Sequence, residues 1–194
     1  MQLATYIQTI QLHLIKTHQL VLDWFWAPEA MQSFRPADQG WTISEILEHI
    51  ALTSHFLLIL IDKAAHKSLA FDAQLLEDYL LQSPLSLDKI DQIGIHKSFV
   101  WVRPEHMEPT GKKSALEVKD ELISQLHRCL SHLENLKNGA GLQYKTTMTV
   151  QALGKLNVYE YIYFLSKHAE RHLTQMEENK LEFLTPPNAP STGS

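Results

Sequence analysis

Apolar residues recur every three or four positions along most of the chain, the spacing that gathers them on one face of an α-helix. No segment shows a convincing two-residue alternation of the kind that half-buried β-strands produce. The pattern predicts four long helices: residues 3–26, 42–67, 114 up to the stop at Asn138-Gly139, and 157–179. Helices that each carry one apolar stripe bury it best against one another, so we expect an all-α fold, a four-helix bundle.

Three of the predicted helices begin at a capping box, in which a Thr, Ser or Asn precedes a glutamate by three positions. The side-chain oxygen of the first residue accepts from the amide of the glutamate, and the carboxylate accepts from the amide of the first residue. The pairs are Thr42 with Glu45, Ser114 with Glu117, and Asn157 with Glu160. These pairs predict where the helices start.

A connection of more than 40 residues, 70–113, separates the second helix from the third. Its segment LLEDYLLQSP predicts one short helix. Trp101 and Arg103 are expected to anchor the loop by packing, and lining a pocket is the weaker alternative. Connections this long are uncommon in compact domains and are often functional or lie over a site. We expect one domain over residues 1–184 and a disordered tail, TPPNAPSTGS, over 185–194.

Composition narrows the class of protein. The chain has 194 residues and a formal net charge of −5, with scattered basic residues, which disfavours a nucleic-acid surface. Cys129 is the single cysteine, so no internal disulfide forms, as is usual in a reducing compartment. The longest apolar run, FLLILI, is too short to span a membrane, and the first residues do not look like a secretion signal. We therefore expect a cytoplasmic protein with neither nucleic acid nor membrane as partner.

Two histidines four positions apart, His168 and His172 in HAERH, fall on or near the inward face of the fourth predicted helix. Side chains at this spacing are neighbours, so two imidazoles can converge on one ion. Catalytic zinc sites keep three protein ligands and an open position, and His49 at the flank of the second helix is the best third ligand. The alternative is that these histidines are partly buried and bonded to carbonyls or carboxylates.

Other polar residues are weaker candidates. His13 and His18 flank the stripe of the first helix and are expected to be solvated edge residues that could supplement a site. Glu48 should point away from His49, and Arg171 away from the histidine face. Cys129 lies on an apolar stripe and is expected to be inert core.

Three segments resemble the DinB-like superfamily. GWTISEILEHIALTSHF (40–56) is similar to the family's second helix, where a tryptophan and a cap precede a metal-ligand histidine. LGKLNVYEYIYFLSKHAERHLTQMEE (153–178) resembles its last helix, which ends in H-x-x-R-H with a following glutamine. RPEHMEPTG (103–111) is also similar. The resemblance implies a four-helix bundle, often dimeric, with a divalent metal, zinc or nickel, held by His49, His168 and His172.

Some members that resemble this chain are metal-dependent transferases or isomerases that use low-molecular-weight thiols such as bacillithiol or mycothiol. The leading hypothesis is therefore a metal-dependent thiol S-transferase of detoxification, with a small-molecule thiol and an electrophile as partners, acting as a homodimer. The alternatives are a metal-dependent hydrolase and a non-catalytic or stress-related metal-binding protein. The sequence assigns no catalytic base and no residues to a thiol pocket. The family name refers to induction by DNA damage and does not imply DNA binding.

Overall fold

The computed structural model describes residues 1–70, 73–82, 85–100 and 104–185, most of which are helical. This confirms the predicted helical class. The α-helices are α1 (Leu3–Asp23), α2 (Glu29–Gln32), α3 (Ile43–Ser68), α4 (Leu76–Gln82), α5 (Asp88–Asp91), α6 (Ala115–Asn135) and α7 (Val158–Leu184). Short 3-10 segments lie at Trp24–Trp26, Ala73–Leu75, Gln92–Gly94, Glu105–Met107, Ala140–Leu142 and Val150–Ala152.

All three predicted capping boxes are present, at Thr42, Ser114 and Asn157, and α3, α6 and α7 start there. The ends of the helices were predicted less accurately than their starts. The first helix changes to 3-10 geometry after Asp23. The last runs to Leu184 rather than residue 179, since no glycine or proline interrupts it.

A small antiparallel ribbon between α6 and α7 corrects the expectation that the chain has no strands. β1 (Thr146–Met148) pairs with β2 (Gly154–Leu156), with Thr146 opposite Leu156. Each strand has three residues, too few for a two-residue alternation to stand out in the sequence. Gly154 has a φ of +73°, a conformation that glycine adopts without steric cost.

The four long helices pack side by side: α1 and α3 each contact both α6 and α7. Their apolar stripes form two buried clusters. One contains Ile10, Leu14, Leu58 and Phe164, and the other contains Ile46, Leu122, Ala169 and Met176. Because α3 and α7 contribute to both clusters, polar residues near the middle of these helices are enclosed by apolar packing on either side.

The long connection lies against α3 and α7. It contains α4, which confirms the predicted short helix, and its 3-10 segment Gln92–Gly94 packs on α7. A second 3-10 segment, Glu105–Met107, packs on α3. Trp101 and Arg103 lie outside the described residues, as does the predicted tail beyond Thr185.

Among the described residues one helix, α3, has the length and apolar composition that a membrane span needs. However, 61% of its most apolar window is buried within the protein, which is typical of a core helix. Cellular location stays a prediction.

Candidate metal centre

The three predicted ligand histidines meet between α3 and α7. One ring nitrogen from each of His49, His168 and His172 lies within 4.8 Å of the other two. The ring centroids are 4.6–5.2 Å apart. All three side chains are buried, with exposed fractions of 7% or less. The i, i+4 spacing on α7 aligns two rings, and packing of α3 against α7 adds the third.

Hydrogen bonds on the far side of two rings fix which nitrogen faces the cluster. Nδ1 of His49 lies 2.7 Å from the carbonyl oxygen of Met107, and Nδ1 of His172 lies 2.9 Å from Oε1 of Gln175. Both partners are acceptors, so each Nδ1 carries the proton and donates. The lone pair of each ring is therefore on Nε2. Metal-binding histidines are typically held in this way.

Electrostatics keep the rings of α7 neutral. Burial lowers the pKa of His168 well below its usual value, and neighbouring His172 and His49 lower it further. Burial, followed by the electrostatic interaction with His49, lowers the pKa of His172 to about 3. The Nε2 atoms of His168 and His172 are 3.2 Å apart. Neutral imidazoles are the form that binds metals, so this donor set is compatible with a divalent cation.

Aromatic rings restrict the orientation of the histidines. The Trp41 ring lies against His49 with centroids 4.7 Å apart, and Phe164 is nearly parallel to His168 at 6.5 Å. The carbonyl of Trp41 in turn accepts a 2.8 Å hydrogen bond from Asn179 of α7. The cluster is therefore held by packing as well as by hydrogen bonds.

Glu48 points away from His49, as expected, but it binds the same loop as His49, the segment that contains Met107 and Thr110. Its buried carboxylate accepts from the amide and hydroxyl of Thr110, at 3.1 and 2.9 Å, and from the amide of Gly111 at 2.8 Å. His49 binds Met107 a few residues earlier. Two consecutive residues of α3 thus hold one segment of the long connection in place over the cluster.

The expectation for Arg171 was wrong. Arg171 is buried and lines the same pocket as the histidines. Its guanidinium donates to the carbonyl of Ile95 and, at 3.4 Å, to Ser98 Oγ and the carbonyl of Phe99. The apolar periodicity of α7 could not predict the burial of Arg171, because the segment that covers it, residues 95–99, belongs to the long connection between α3 and α6. Arg171 fixes that segment beside the cluster.

A pocket of about 390 Å³ opens beside the three histidines. Its volume is within the range of about 300–1,000 Å³ that small-molecule sites occupy. The other described residues that line it are Thr53, Leu57, His96, Phe99, Pro104, Met107, Met148, Thr149, Val150, Phe164, Arg171 and Gln175. Apolar walls with a few polar groups are typical of a small-molecule site.

The histidines of α1 are more buried than predicted and lie outside the cluster. His18 is 3% exposed, its Nδ1 donates to the Leu14 carbonyl at 3.0 Å, and burial lowers its pKa to about 4. His13 is half-buried against Ser166, with Nδ1 2.9 Å from the hydroxyl. Both were expected to be solvated, but other elements cover the flank of α1. Cys129 is buried as expected.

Several supporting residues were missed from the sequence. Gln175 was noted only as the glutamine of the family motif; its support of His172 could have been inferred, because it follows His172 by three positions and so shares its side of α7. The Met107 carbonyl carries no side-chain signal at all. His96 and Thr53 reach the pocket only through the tertiary fold.

Fold and site together define a helical protein with a buried three-histidine cluster between two of its long helices. The chain belongs to the DinB superfamily, whose family model matches residues 12–176. This range contains all three histidines and confirms the family resemblance. No curated protein and no solved structure compared with the chain gives a match.

Proposed function

We propose that His49, His168 and His172 bind one divalent metal ion and that the protein is a metal-dependent thiol S-transferase. The observation that carries the proposal is the convergence of three ring nitrogens within 4.8 Å, in a buried cluster. Imidazole ligands suit zinc and nickel, the two metals that we propose. The hydrogen bonds from His49 to Met107 and from His172 to Gln175 support metal binding by the cluster, because they direct the Nε2 lone pairs inward.

The pocket beside the cluster supports a small-molecule reaction. Its walls combine apolar residues such as Leu57 and Val150 with the polar groups of Thr53 and His96. When bound, a divalent ion lowers the pKa of a coordinated group such as a thiol and favours the thiolate. We propose a bacillithiol-type thiol as the cofactor. The thiolate sulfur would attack an electrophile, whose leaving group departs with the bonding electron pair.

We further propose that the four long helices form a four-helix bundle and that the protein works as a cytoplasmic homodimer. The bundle is supported by the mutual packing of α1, α3, α6 and α7. The dimer rests on the family resemblance. Sedimentation equilibrium would test it, and a single species of monomer mass at working concentrations would contradict it.

Elemental analysis tests the metal site. Purified protein should carry about one zinc or nickel ion per chain. The double variant His168→Ala/His172→Ala should lose it, whereas His66→Ala should not, because His66 is exposed at the end of α3 and away from the cluster. Failure of the wild-type protein to bind either metal when offered would reject the proposal.

Thiol consumption tests the reaction. We expect consumption only when metal, thiol and electrophile are all present, and a loss of activity in His49→Ala. Unchanged consumption by His49→Ala would show that the reaction does not use the cluster. Turnover of an ester or amide without thiol would instead indicate a metal-dependent hydrolase.

A further inference from the structure

The side of α1 that faces away from the other long helices carries exposed apolar residues. α1 packs on α6 and α7 through its opposite side, where Ile10 and Leu14 are buried. On the outward side Leu12 is 60% exposed, and Ile15, three positions later, is exposed beside it. Trp26, just beyond the end of the helix, is 79% exposed. A single exposed apolar residue is ordinary on a protein surface, whereas an aligned group of them is typical of an interaction site.

Charged side chains are rare on α1. Lys16 and Asp23 are the only lysine, arginine or carboxylate side chains in its 21 residues. The helix α6 has the same length, and its charged residues are Glu117, Lys119, Asp120, Glu121, Arg128 and Glu134. The centres of protein–protein interfaces are depleted in charged residues and enriched in tryptophan. The outward side of α1 therefore has the composition of an interface, whereas α6 has that of a solvated helix.

The two charges of α1 are complementary to each other across a two-fold axis. Lys16 and Asp23 are exposed, and neither forms an ion pair with another residue that the structure describes. They are seven positions apart, about 10 Å along the helix, and lie on the same flank of its outward side. When two copies of α1 pack antiparallel about a two-fold axis, these flanks meet. An axis midway between the charges, beside Gln19 and Leu20, brings Lys16 of each copy to Asp23 of the other.

We propose that the outward side of α1 binds a second copy of the chain, in an antiparallel pair of α1 helices with two Lys16–Asp23 ion pairs. This inference rests on the homodimer proposed above and names its interface. Burial of the apolar residues contributes most of the affinity, because exposed ion pairs contribute little by themselves. The ion pairs select the antiparallel register. The occupant is a second copy because a two-fold interface has to be complementary to itself, as this charge pattern is.

Charge reversal tests the pairing, with sedimentation equilibrium of the full chain as the measurement. Lys16→Glu puts two carboxylates opposite each other, and Asp23→Lys puts two ammonium groups opposite each other. Each variant should dimerise about 10- to 100-fold more weakly than the wild type, because two repulsions of similar size replace two ion pairs. An equal mixture of the two variants should regain the wild-type affinity, since both contacts are then between opposite charges. Lys63→Glu, at an exposed position on α3, is the matched control.

A second substitution tests the apolar part of the interface. Leu12→Arg places a charge within the buried centre of the proposed pair and should also weaken dimerisation. Leu116→Arg is its control, because Leu116 is similarly exposed but lies on α6. All of these positions are solvent-exposed in the single chain, so the helical content measured by circular dichroism should not change.

Each result decides between the hypotheses. A wild-type protein that stays monomeric would reject the homodimer and this inference together, and would leave the outward side of α1 to a different partner. A wild-type dimer that Lys16→Glu, Asp23→Lys and Leu12→Arg all leave unchanged would overturn this interface alone, because the dimer would then use another surface. Weaker dimerisation of the two charge variants without recovery in their mixture would overturn the antiparallel pairing of Lys16 with Asp23.

Discussion

Replacing Glu48 with glutamine should weaken the proposed metal binding, although Glu48 points away from the three-histidine cluster. Oε1 of Glu48 accepts from both the amide and the hydroxyl of Thr110, and Oε2 accepts from the amide of Gly111. A glutamine has one acceptor oxygen, so its NH₂ group must face at least one of these donors. The loop that provides the Met107 carbonyl to His49 would then be less firmly held.

The structure sets the size of this effect. A hydrogen bond to a charged group contributes about 1.5–3 kcal/mol, and the variant loses at least one and weakens the others. We expect a loss of about 2–3 kcal/mol in the free energy of unfolding. For a protein of this length the corresponding fall in melting temperature is about 5–10 °C. Loss of support for a ligand histidine typically costs about 10- to 100-fold in metal affinity.

Two assays measure the two effects. Calorimetry gives the melting temperature of the metal-free protein, and competition with a chelator gives the metal affinity. Glu134→Gln is the matched control, since Glu134 is 70% exposed on α6 and pairs only with Lys137 among the described residues. A lower melting temperature with unchanged metal affinity would refute the link from Glu48 through the loop to His49. No change in either quantity would refute the role of the hydrogen bonds.

Three further predictions concern other residues. Gln175→Leu removes the acceptor for Nδ1 of His172, so chelator competition should show about 10- to 100-fold weaker metal binding. The pKa of His18 falls from about 6.5 unfolded to about 4 folded, so the unfolded chain binds more protons and stability is lost as the pH falls through this range. Urea unfolding should show that the wild type loses about 2.5 kcal/mol more free energy of unfolding between pH 7.5 and pH 4.5 than His18→Gln does. An equal loss in both proteins would contradict this. Burial raises the pKa of the Cys129 thiol to about 12, so iodoacetamide at pH 8 should modify it only after unfolding, and rapid labelling of the native protein would show that it is accessible.

The sequence was most informative about α3, α6 and α7, whose starts are determined by local hydrogen bonds. A capping box involves residues only three apart, so its geometry is nearly independent of the rest of the protein. The same is true of His168 and His172, whose proximity follows from the pitch of one helix. His49 was placed by the flank of its stripe and by the family resemblance, and the packing of α3 on α7 brings it to the other two.

Arg171 and His18 show where this local reasoning stopped. Both lie at the side of a helix, where the wheel alone cannot say whether another segment covers them. The covering segment of Arg171, residues 95–99, is more than 70 positions away in the sequence. The short ribbon of β1 and β2 was missed for a related reason, because each strand is stabilised by its partner rather than by its own pattern.

The sequence by itself therefore determined the helical class, the starts of three long helices and the two histidines that share one face of α7. Only the tertiary structure decided which groups surround them: the third imidazole, the Met107 carbonyl, the covering segments and His96. The physical reason is the range of the interactions. Periodicity and caps depend on neighbours within about one helical turn, whereas a site between helices depends on contacts between residues far apart in the chain.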